Sequence, residues 1–440
     1  MTTAGAWPVQ VFRPFPEVDD VVFARTAARS ADFGPADGAG GSGTAAVIGG
    51  AAGDRPEEVR VRALAELVER TSNILAGRHV ESHAPPTSAH GPPPDPGRPT
   101  ATVLTSHDRL RRHGVPALDP AALQPAVPAE QSRSARQLWV SGRSLLTGHR
   151  LFLPAGAVFL RHRPPHGATS PFRAGSTGLA AHRSQAAAID HAAAELWERD
   201  LLRRSWSGEL PAETADRATA AACGTTLSHA LSRLGLRAQL LTIPAVPPDR
   251  CVVACLHRQR TRSHQSFGAR LLAPDLTPHP NGDPAGVPAH TAAGRPPGSA
   301  GHAPPGASHQ PTPVERAVRA AVYEALMVRW SMSTLAARRA LPALRSRGGP
   351  PRSELEHALW AYHRQDSLSL WRRRPGRSPL AAVAPAGPST ATRRRLPPVT
   401  ERLSAYTGGD VFAVDTTRPQ ARAEGWCVVR ILAPGARPLP

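Results

Sequence analysis

Residues 186–206 read AAAIDHAAAELWERDLLRRSW, and this stretch predicts one long helix. Ala, Leu, Glu and Arg dominate it, all of them good helix formers, and it contains neither Gly nor Pro. Its large and small apolar residues recur at steps of three and four, which predicts one buried face: Ile189, Ala193, Leu196, Trp197 and Leu201. Glu195, Glu198 and Arg199 project together from another side of the same helix.

The pentad ExxER occurs twice, as Glu195–Arg199 and as Glu66–Arg70. A single ExxER is usually surface decoration in which the first Glu pairs with the Arg four residues later. Two observations favour function here: the pentad is repeated in a second Ala/Leu-rich helix, and a small-residue turn, Gly175–Ala180, precedes the second copy. Four carboxylates from two helices would suit Mg²⁺, which prefers oxygen ligands and binds together with substrate phosphates.

These motifs and others stand in a characteristic order along the chain. They are RALAELVER at Arg62–Arg70, WVSGRSLLTG at Trp139–Gly148 followed by LPA at Leu153–Ala155, STGLA at Ser176–Ala180, ELWERD at Glu195–Asp200 and EALMVR at Glu324–Arg329. In this order they resemble the YcaO family, ATP-dependent enzymes that activate backbone amides of peptides. The resemblance runs from about Ile48 to the C-terminus.

The resemblance implies an α/β fold, of mixed α+β type, with sheets flanked by helices and an ATP site between the motif-bearing helices. It implies that Mg²⁺ is held by four glutamates: Glu66, Glu69, Glu195 and Glu198. It also implies that the nucleotide contacts five further residues: Arg70, Ser176, Arg199, Glu324 and Arg329. In the reaction of this family, a Cys, Ser or Thr of the substrate attacks the preceding carbonyl, the oxyanion is phosphorylated, and phosphate leaves to give an azoline ring.

The chain departs from the family pattern at four positions. Arg62 stands where the first motif usually begins with Ser, and Ala187 stands where a Glu is common. Thr177 replaces an Asn and Met327 replaces a Gln, which removes both hydrogen-bonding functions of an amide. Arg62 would either contact phosphate or block the site. The STGLA turn with the following His182 resembles the branch that forms thiazole- and oxazole-containing peptides, including thiopeptides, so the first hypothesis is a cyclodehydratase of that branch. Formation of a thioamide or amidine and a non-catalytic scaffold that binds peptide or a partner subunit remain alternatives.

The formal net charge of +19 comes from arginine alone, because the chain contains no lysine. The arginines are mostly scattered, and the sequence shows no nucleic-acid-binding module, so we do not expect nucleic-acid binding. A charge of this size favours an acidic partner, such as a precursor peptide rich in Asp and Glu. The four cysteines do not form a disulfide framework, and Cys251 and Cys255 fit one face of a buried strand.

We expect residues 1–46 to form N-terminal strands and a loop, and residues 47–440 to form the YcaO-like domain. Within it, the segments 82–100 and 275–312 are rich in Pro, Gly and His and predict flexible loops. No signal peptide and no apolar run long enough to cross a membrane is visible, which predicts a cytoplasmic protein. Residues 1–46 are too few for a leader-binding domain, so we expect a separate E1-like (ThiF-like) recognition protein. A flavin dehydrogenase and a homodimer complete the expected partners.

Overall fold

The computed structural model of the chain describes residues 7–34, 45–84, 94–98, 101–123, 127–172, 174–261, 264–273, 311–348, 354–364, 367 and 396–437. Most of the two segments predicted to be flexible loops therefore lies outside the described residues. The predicted α/β fold class is confirmed: helices pack against several antiparallel sheets.

The described strands are, in chain order, β1 Val9–Phe12, β2 Val22–Ser30, β3 Ala45–Gly53, β4 Thr102–Thr105, β5 Gln137–Ser144, β6 Arg150–Pro154, β7 Leu179–His182, β8 Glu213–Thr214, β9 Leu236–Pro244, β10 Arg250–Arg258, β11 Ser266–Leu272, β12 Phe412–Asp415 and β13 Cys427–Leu432. The described α-helices are α1 Pro56–Ser82, α2 His107–Arg112, α3 Ala129–Ser134, α4 Ala155–Val158, α5 Gln185–Trp206, α6 Arg217–Ala221, α7 Thr225–Arg233, α8 Pro313–Ser331, α9 Leu335–Arg347, α10 Glu354–His363, α11 Val399–Thr407 and α12 Pro419–Ala423. None of these helices is long and apolar enough to cross a membrane.

The strands form three sheets. The first sheet has the order β1-β2-β3, the central sheet β4-β5-β12-β13-β7 with β6 beside β5, and the third sheet β11-β10-β9-β8. Strands β3, β7 and β11 each lie at a sheet edge, so part of their backbone is left without a strand partner. The boundary expected after residue 46 falls inside β3, which pairs with β2 from Ala45 to Gly53.

Each motif-bearing helix packs between two sheets. Apolar residues of α1 join the cores of the first and central sheets, those of α5 join the central and third sheets, and those of α8 join the third and first sheets. The predicted helix at 186–206 is confirmed as α5, and Ala193, Leu196, Trp197 and Leu201 on its predicted apolar face are buried. This cyclic arrangement turns the remaining polar faces of the three helices toward one another.

Helix α1 runs further than the sequence predicts. The apolar pattern and the favourable Pro56 at its start predict a helix from Pro56 to Leu75, but the helix continues to Ser82. Gly77 allows the ring of Phe159 to pack directly against the helix, because a Cβ at this position would lie 2.9 Å from the Phe159 side chain. Glu81 then accepts hydrogen bonds from Arg78 at 2.8 Å and from the backbone of Arg163 at 2.7 Å. The last turns are therefore held in part by Phe159 and Arg163, which are distant in sequence.

Candidate functional site

A ladder of side chains on α1 covers the open edge of β3. Arg62, Glu66 and Arg70 are spaced four residues apart and lie on one face of the helix. The ladder has three rungs: Arg62 Nη2 donates to the Ala52 oxygen at 2.7 Å, the Gly50 N–H donates to Glu66 Oε2 at 2.5 Å, and Arg70 Nη1 donates to the Ile48 oxygen at 2.7 Å. Glu66 Oε1 also pairs with Arg70 at 2.5 Å, so both oxygens of this predicted metal ligand are engaged.

The predicted metal ligands Glu69 and Glu195 form a like-charged pair between α1 and α5. Glu69 makes no hydrogen bond or ion pair with the residues that the structure describes. Burial, followed by the charge of Glu195, holds the pKa of Glu69 well above its ordinary value, and Arg70 offsets this in part. Glu195 lies 4.0 Å from Arg199 Nε. A bound cation would relieve the repulsion between the two carboxylates.

Arg430, in the middle of β13, supplies positive charge beside this pair. Its side chain is only 5% exposed and donates hydrogen bonds to the carbonyl oxygens of Gly175 at 2.8 Å and Ala157 at 3.1 Å. Burial lowers the pKa of Arg430 to about 10, although Glu195 and Glu69 oppose the shift. Arg430 thus fixes the small-residue turn and faces the two carboxylates at the same time.

A second cluster joins α5 to α8 through Arg199. The guanidinium lies 3.2 Å from Glu324 Oε1 and 3.8 Å from Glu198 Oε1. Burial raises the pKa of Glu198, while Arg199 and Arg270 oppose that shift. Burial disfavours the charged form of Arg199, but Glu324, Glu198 and Glu195 outweigh burial and raise its pKa. The structure therefore brings together Arg199 and Glu198, predicted from one motif, and Glu324, predicted from another.

The open edge of β11 fixes two of these carboxylates. The Ala269 N–H donates to Glu324 Oε2 and the Leu271 N–H donates to Glu198 Oε2, each at 2.9 Å. Residues 269 and 271 alternate along the strand, so both N–H groups face away from β10. The strand edge holds one oxygen of each glutamate and leaves the other beside Arg199.

The remaining predicted contacts, Ser176 and Arg329, have different surroundings. Ser176 lines a cavity together with Arg70, close to the first ladder. Arg329, in contrast, donates to the backbone oxygen of His264 at 2.7 Å and lies over the ring of Tyr362, 5.6 Å from its centroid. Burial lowers the pKa of Arg329, and none of the glutamates of the site contributes to that shift. The structure therefore does not bring Arg329 to the site.

Sequence reasoning missed two arginines, Arg270 and Arg430, because both lie on strands outside every motif. Arg270 acts on the pKa values of Glu198, His191 and Arg62, so it lies near residues of both α1 and α5. Each of the two arginines interrupts an apolar strand sequence, ARLL and VVRIL. A charge inside a buried strand was the available signal, since such a charge requires a partner.

The residues present fit Mg²⁺ bound together with a nucleotide. Within the described part of the chain, no group of three or more His, Cys, Asp or Glu side chains is arranged to hold a metal ion alone. Mg²⁺ usually takes one or two carboxylates from the protein and its other ligands from substrate phosphates and water. The half-buried pair Glu69 and Glu195 can supply these carboxylates, because the two lie close enough for the charge of Glu195 to add to burial in raising the pKa of Glu69.

Comparison with known proteins finds one matching family. The model described as YcaO cyclodehydratase, ATP- and Mg²⁺-binding, matches residues 50–274, just over half of the 440 residues. An uncharacterized protein of Methanothermobacter thermautotrophicus is 33% identical over 90 residues, which is 20% of this chain and 22% of that protein.

Two solved structures share the fold. A heterocyclase in complex with substrate and cofactor is 16% identical with a TM-score of 0.58, and the match covers 98% of this chain and 50% of that one. The E. coli microcin synthetase McbBCD complex with pro-MccB17 bound is 13% identical with a TM-score of 0.56, and covers 98% of this chain and 88% of the other. This chain therefore spans half the length of the heterocyclase that it matches.

Proposed function

This chain belongs to the YcaO family, and from that premise we propose that it is an ATP- and Mg²⁺-dependent cyclodehydratase acting on backbone amides of a ribosomally made precursor peptide. The single observation that carries the proposal is the pair Glu69 and Glu195, two carboxylates brought together from separate helices with the pKa of Glu69 well raised. A divalent cation is the ligand that best removes the cost of this arrangement.

In this proposal the acidic residues of the site bind the metal ion, and most of the nucleotide contacts come from arginines. Glu69 and Glu195 would hold Mg²⁺, with Glu66 and Glu198 beside them. Arg70, Ser176 and Arg199 would contact the nucleotide, and Glu324 would keep Arg199 oriented. Bound ATP would supply the phosphoryl group that converts an amide oxygen into a leaving group. Arg199 and Arg430 would stabilise the negative charge that develops during transfer, because both guanidinium groups are already fixed by neighbours.

The partners are part of the same proposal. A net charge of +19 supports an acidic peptide as substrate. A separate E1-like recognition protein would deliver that peptide, and a flavin dehydrogenase would act on the azoline product. A homodimer and a cytoplasmic location, where ATP is available, complete the proposal. Thiazole, oxazole or thiopeptide products would place the enzyme in antibiotic or bacteriocin biosynthesis.

Nucleotide binding tests the proposal directly. Titration calorimetry of the full chain with Mg²⁺ and a non-hydrolysable ATP analogue should show binding. Glu69→Gln and Glu195→Gln should each weaken that binding by about tenfold or more, because each removes a charged metal ligand. Glu401→Gln, an exposed glutamate on α11, is the matched control and should bind as the parent does. If the parent protein does not bind the ATP analogue with Mg²⁺, the proposal that it is an ATP-dependent enzyme is rejected.

Turnover then separates the reaction types. The chain with peptide and partner proteins should release phosphate from ATP, and the peptide should lose the mass of one water per ring. A product that instead gains sulfur or an amine would indicate the thioamide or amidine reaction of the same family.

A second candidate, a non-catalytic scaffold, has one observation in its favour. Met327 lies beside Gly50 and Glu66, because a Cβ on Gly50 would stand 3.8 Å from the Met327 sulfur and 4.0 Å from Glu66 Oε2. Its thioether offers them no hydrogen-bond donor. A scaffold would bind the peptide or a partner subunit without Mg²⁺ and nucleotide, so the same calorimetry distinguishes the two.

A further inference from the structure

Helix α8 covers one face of the first sheet only in part. Ala52 of β3 and Phe23, its partner on β2, belong to the core that α8 builds. Trp330, near the C-terminal end of α8, packs on the ring of Phe23 with 5.8 Å between the ring centroids. The helix ends one residue later, at Ser331. The part of the face beyond Trp330 is therefore not covered by α8.

This remaining part of the face is open to solvent. Side chains of one strand alternate between the two faces, and directly paired residues of neighbouring strands share a face. Steps of two residues from Phe23 and Ala52 therefore give the exposed residues of the face: Gln10, Arg25, Ala27, Arg29, Ala46 and Ile48. We call these six residues the open face. Ile48 is large and apolar, yet 42% exposed.

The open face begins at the candidate metal site. Gly50 lies on the same face between Ile48 and Ala52, and a Cβ there would stand 4.0 Å from Glu66 Oε2. The Gly50 N–H donates to Glu66, and the Ile48 oxygen accepts a hydrogen bond from Arg70 at 2.7 Å. A chain that lies on the open face and continues over Gly50 therefore reaches Glu66.

The open face carries two arginines without an ion pair among the described residues. Arg25 and Arg29 also make no hydrogen bond with the part of the chain that the structure describes. The guanidinium carbon of Arg25 instead lies 5.2 Å from the centroid of the Trp330 ring. Four residues separate the two arginines along β2, which places their backbones about 13 Å apart. The short side chain of Ala27 leaves room for another chain between them.

We infer that the open face docks the precursor peptide in an extended conformation, with two acidic side chains of the peptide paired with Arg25 and Arg29. The inference rests on the proposed function for the choice of a peptide as the occupant. Residues four apart in an extended chain are also about 13 Å apart and point to the same side, so their carboxylates match the two arginines. Gly50 is the strand partner of Arg25, so a peptide held at Arg25 lies beside Glu66.

Charge and spacing favour a peptide over two other occupants of this face. Proteins that bind single-stranded nucleic acid stack the bases on aromatic side chains, and none of the six residues of the open face is aromatic. A second copy of the chain related by a two-fold axis would bring the arginines of the two open faces together. A peptide with two carboxylates meets neither difficulty, and Ile48 would contact an apolar residue between them.

Fluorescence anisotropy with two labelled peptides tests the inference on the full chain at low ionic strength. Both peptides consist of Thr and Gly with two glutamates, which are four positions apart in one peptide and three in the other. The four-spaced peptide should bind about threefold more tightly, because the glutamates of the three-spaced peptide point to opposite sides. Its affinity should fall as salt is added.

Two variants locate the binding on the open face. Arg25→Gln and Arg29→Gln should each weaken binding of the four-spaced peptide about threefold, and the double variant about tenfold. Each single variant should also bind the two peptides alike, which a general loss of positive charge would not produce. Thermal unfolding of each variant checks that the protein remains folded.

Arg237→Gln is the matched control. Arg237 is likewise an exposed strand arginine without a hydrogen bond or ion pair among the described residues, but it lies on β9 in the third sheet. This variant should keep both the affinity for the four-spaced peptide and the preference for it over the three-spaced peptide.

Four results would overturn the inference. The two peptides bind the parent alike, or Arg25→Gln and Arg29→Gln both behave like Arg237→Gln. An oligothymidylate displaces the labelled peptide more readily than the unlabelled peptide does. The double variant changes the oligomeric state measured by sedimentation, which would assign the face to a second copy.

The calorimetry with Mg²⁺ and the ATP analogue separates this inference from the proposed function. If the analogue binds through Glu69 while the peptides give any of the four results, the proposed function stands and the docking face fails. If the peptides bind through Arg25 and Arg29 while the analogue does not bind, the docking face stands and the ATP-dependent enzyme is rejected.

Discussion

Two parts of the molecule, β3 with α1 and β11 with α8, repeat one design. We call them the first and second units. In the first unit the backbone of α1 approaches Gly49 so closely that a Cβ there would lie 2.7 Å from the Leu67 nitrogen. In the second, a Cβ on Gly268 would lie 2.5 Å from the Ala325 nitrogen of α8. In both, the glutamate that immediately precedes this helix residue accepts a hydrogen bond from the strand residue after the glycine.

The units differ in how that glutamate is neutralised. Glu66 pairs with Arg70 of its own helix, whereas Glu324 pairs with Arg199 of α5. Three residues further along, the first unit carries Glu69 and the second carries Met327. A shared backbone frame thus delivers one oriented carboxylate from each unit, but only the first adds a second carboxylate. The comparison shows that the strand edge orients the glutamate in both units, whereas the arginine that neutralises it comes from the same helix in the first unit and from α5 in the second.

The largest expected effect comes from adding a methyl group at Gly49 or Gly268, where the strand lies against the backbone of a helix. Gly49→Ala and Gly268→Ala should each lower the free energy of unfolding by about 3 kcal/mol, because the added methyl meets helix backbone that cannot rotate away. Gly50→Ala is the control, since its Cβ would meet nothing nearer than 3.8 Å. Urea denaturation measures the differences. Equal stability of Gly49→Ala and Gly50→Ala would show that the close approach is not required.

An intermediate effect comes from changing the charge at Glu69 and at Met327, the residues three positions after the oriented glutamate of each unit. Folding raises the pKa of Glu69. The protein is therefore more stable at low pH, where Glu69 is neutral, and loses this contribution as the pH rises from the unfolded-state pKa through the folded-state pKa. Without Mg²⁺ at neutral pH, Glu69→Gln should therefore stabilise the protein by about 1 kcal/mol. Met327→Glu should destabilise it by a similar amount, because it places another carboxylate near Glu66. Urea midpoints test both, and a stabilising Met327→Glu would contradict this account of the charge balance.

The smallest effect concerns α5, which contacts both units. Burial, with Arg270 and His182, lowers the pKa of His191 to about 3. The folded-state pKa lies below the unfolded value, so the contribution to stability is present above pH 6.5 and is lost on acidification. From pH 7 to pH 6 the loss from this group is about 0.7 kcal/mol. His191→Gln should flatten the pH dependence of the urea midpoint by that amount, and an unchanged slope would contradict the assignment.

The site was predictable where its residues belong to helices. The pentads placed Glu69, Glu195, Glu198 and Arg199 on faces that the structure brings together, since side-chain direction along a helix follows from spacing alone. Arg329 was misleading for the same reason: five residues separate it from Glu324, and it turns instead toward His264. Arg270 and Arg430 escaped prediction because the neighbours of a strand residue depend on which strands pair.

The amino-acid sequence by itself determined the three motif helices, their buried faces and the family, because helix propensity and apolar periodicity act over a few residues. Only the tertiary structure decided which carboxylates face one another and which are tied to a strand edge. Glu66 and Glu69 lie three residues apart on one helix, yet one is engaged by β3 and the other faces Glu195. Glu69 and Glu195 meet because their helices pack between sheets built from distant parts of the chain. A pattern that spans a few residues does not specify such a contact.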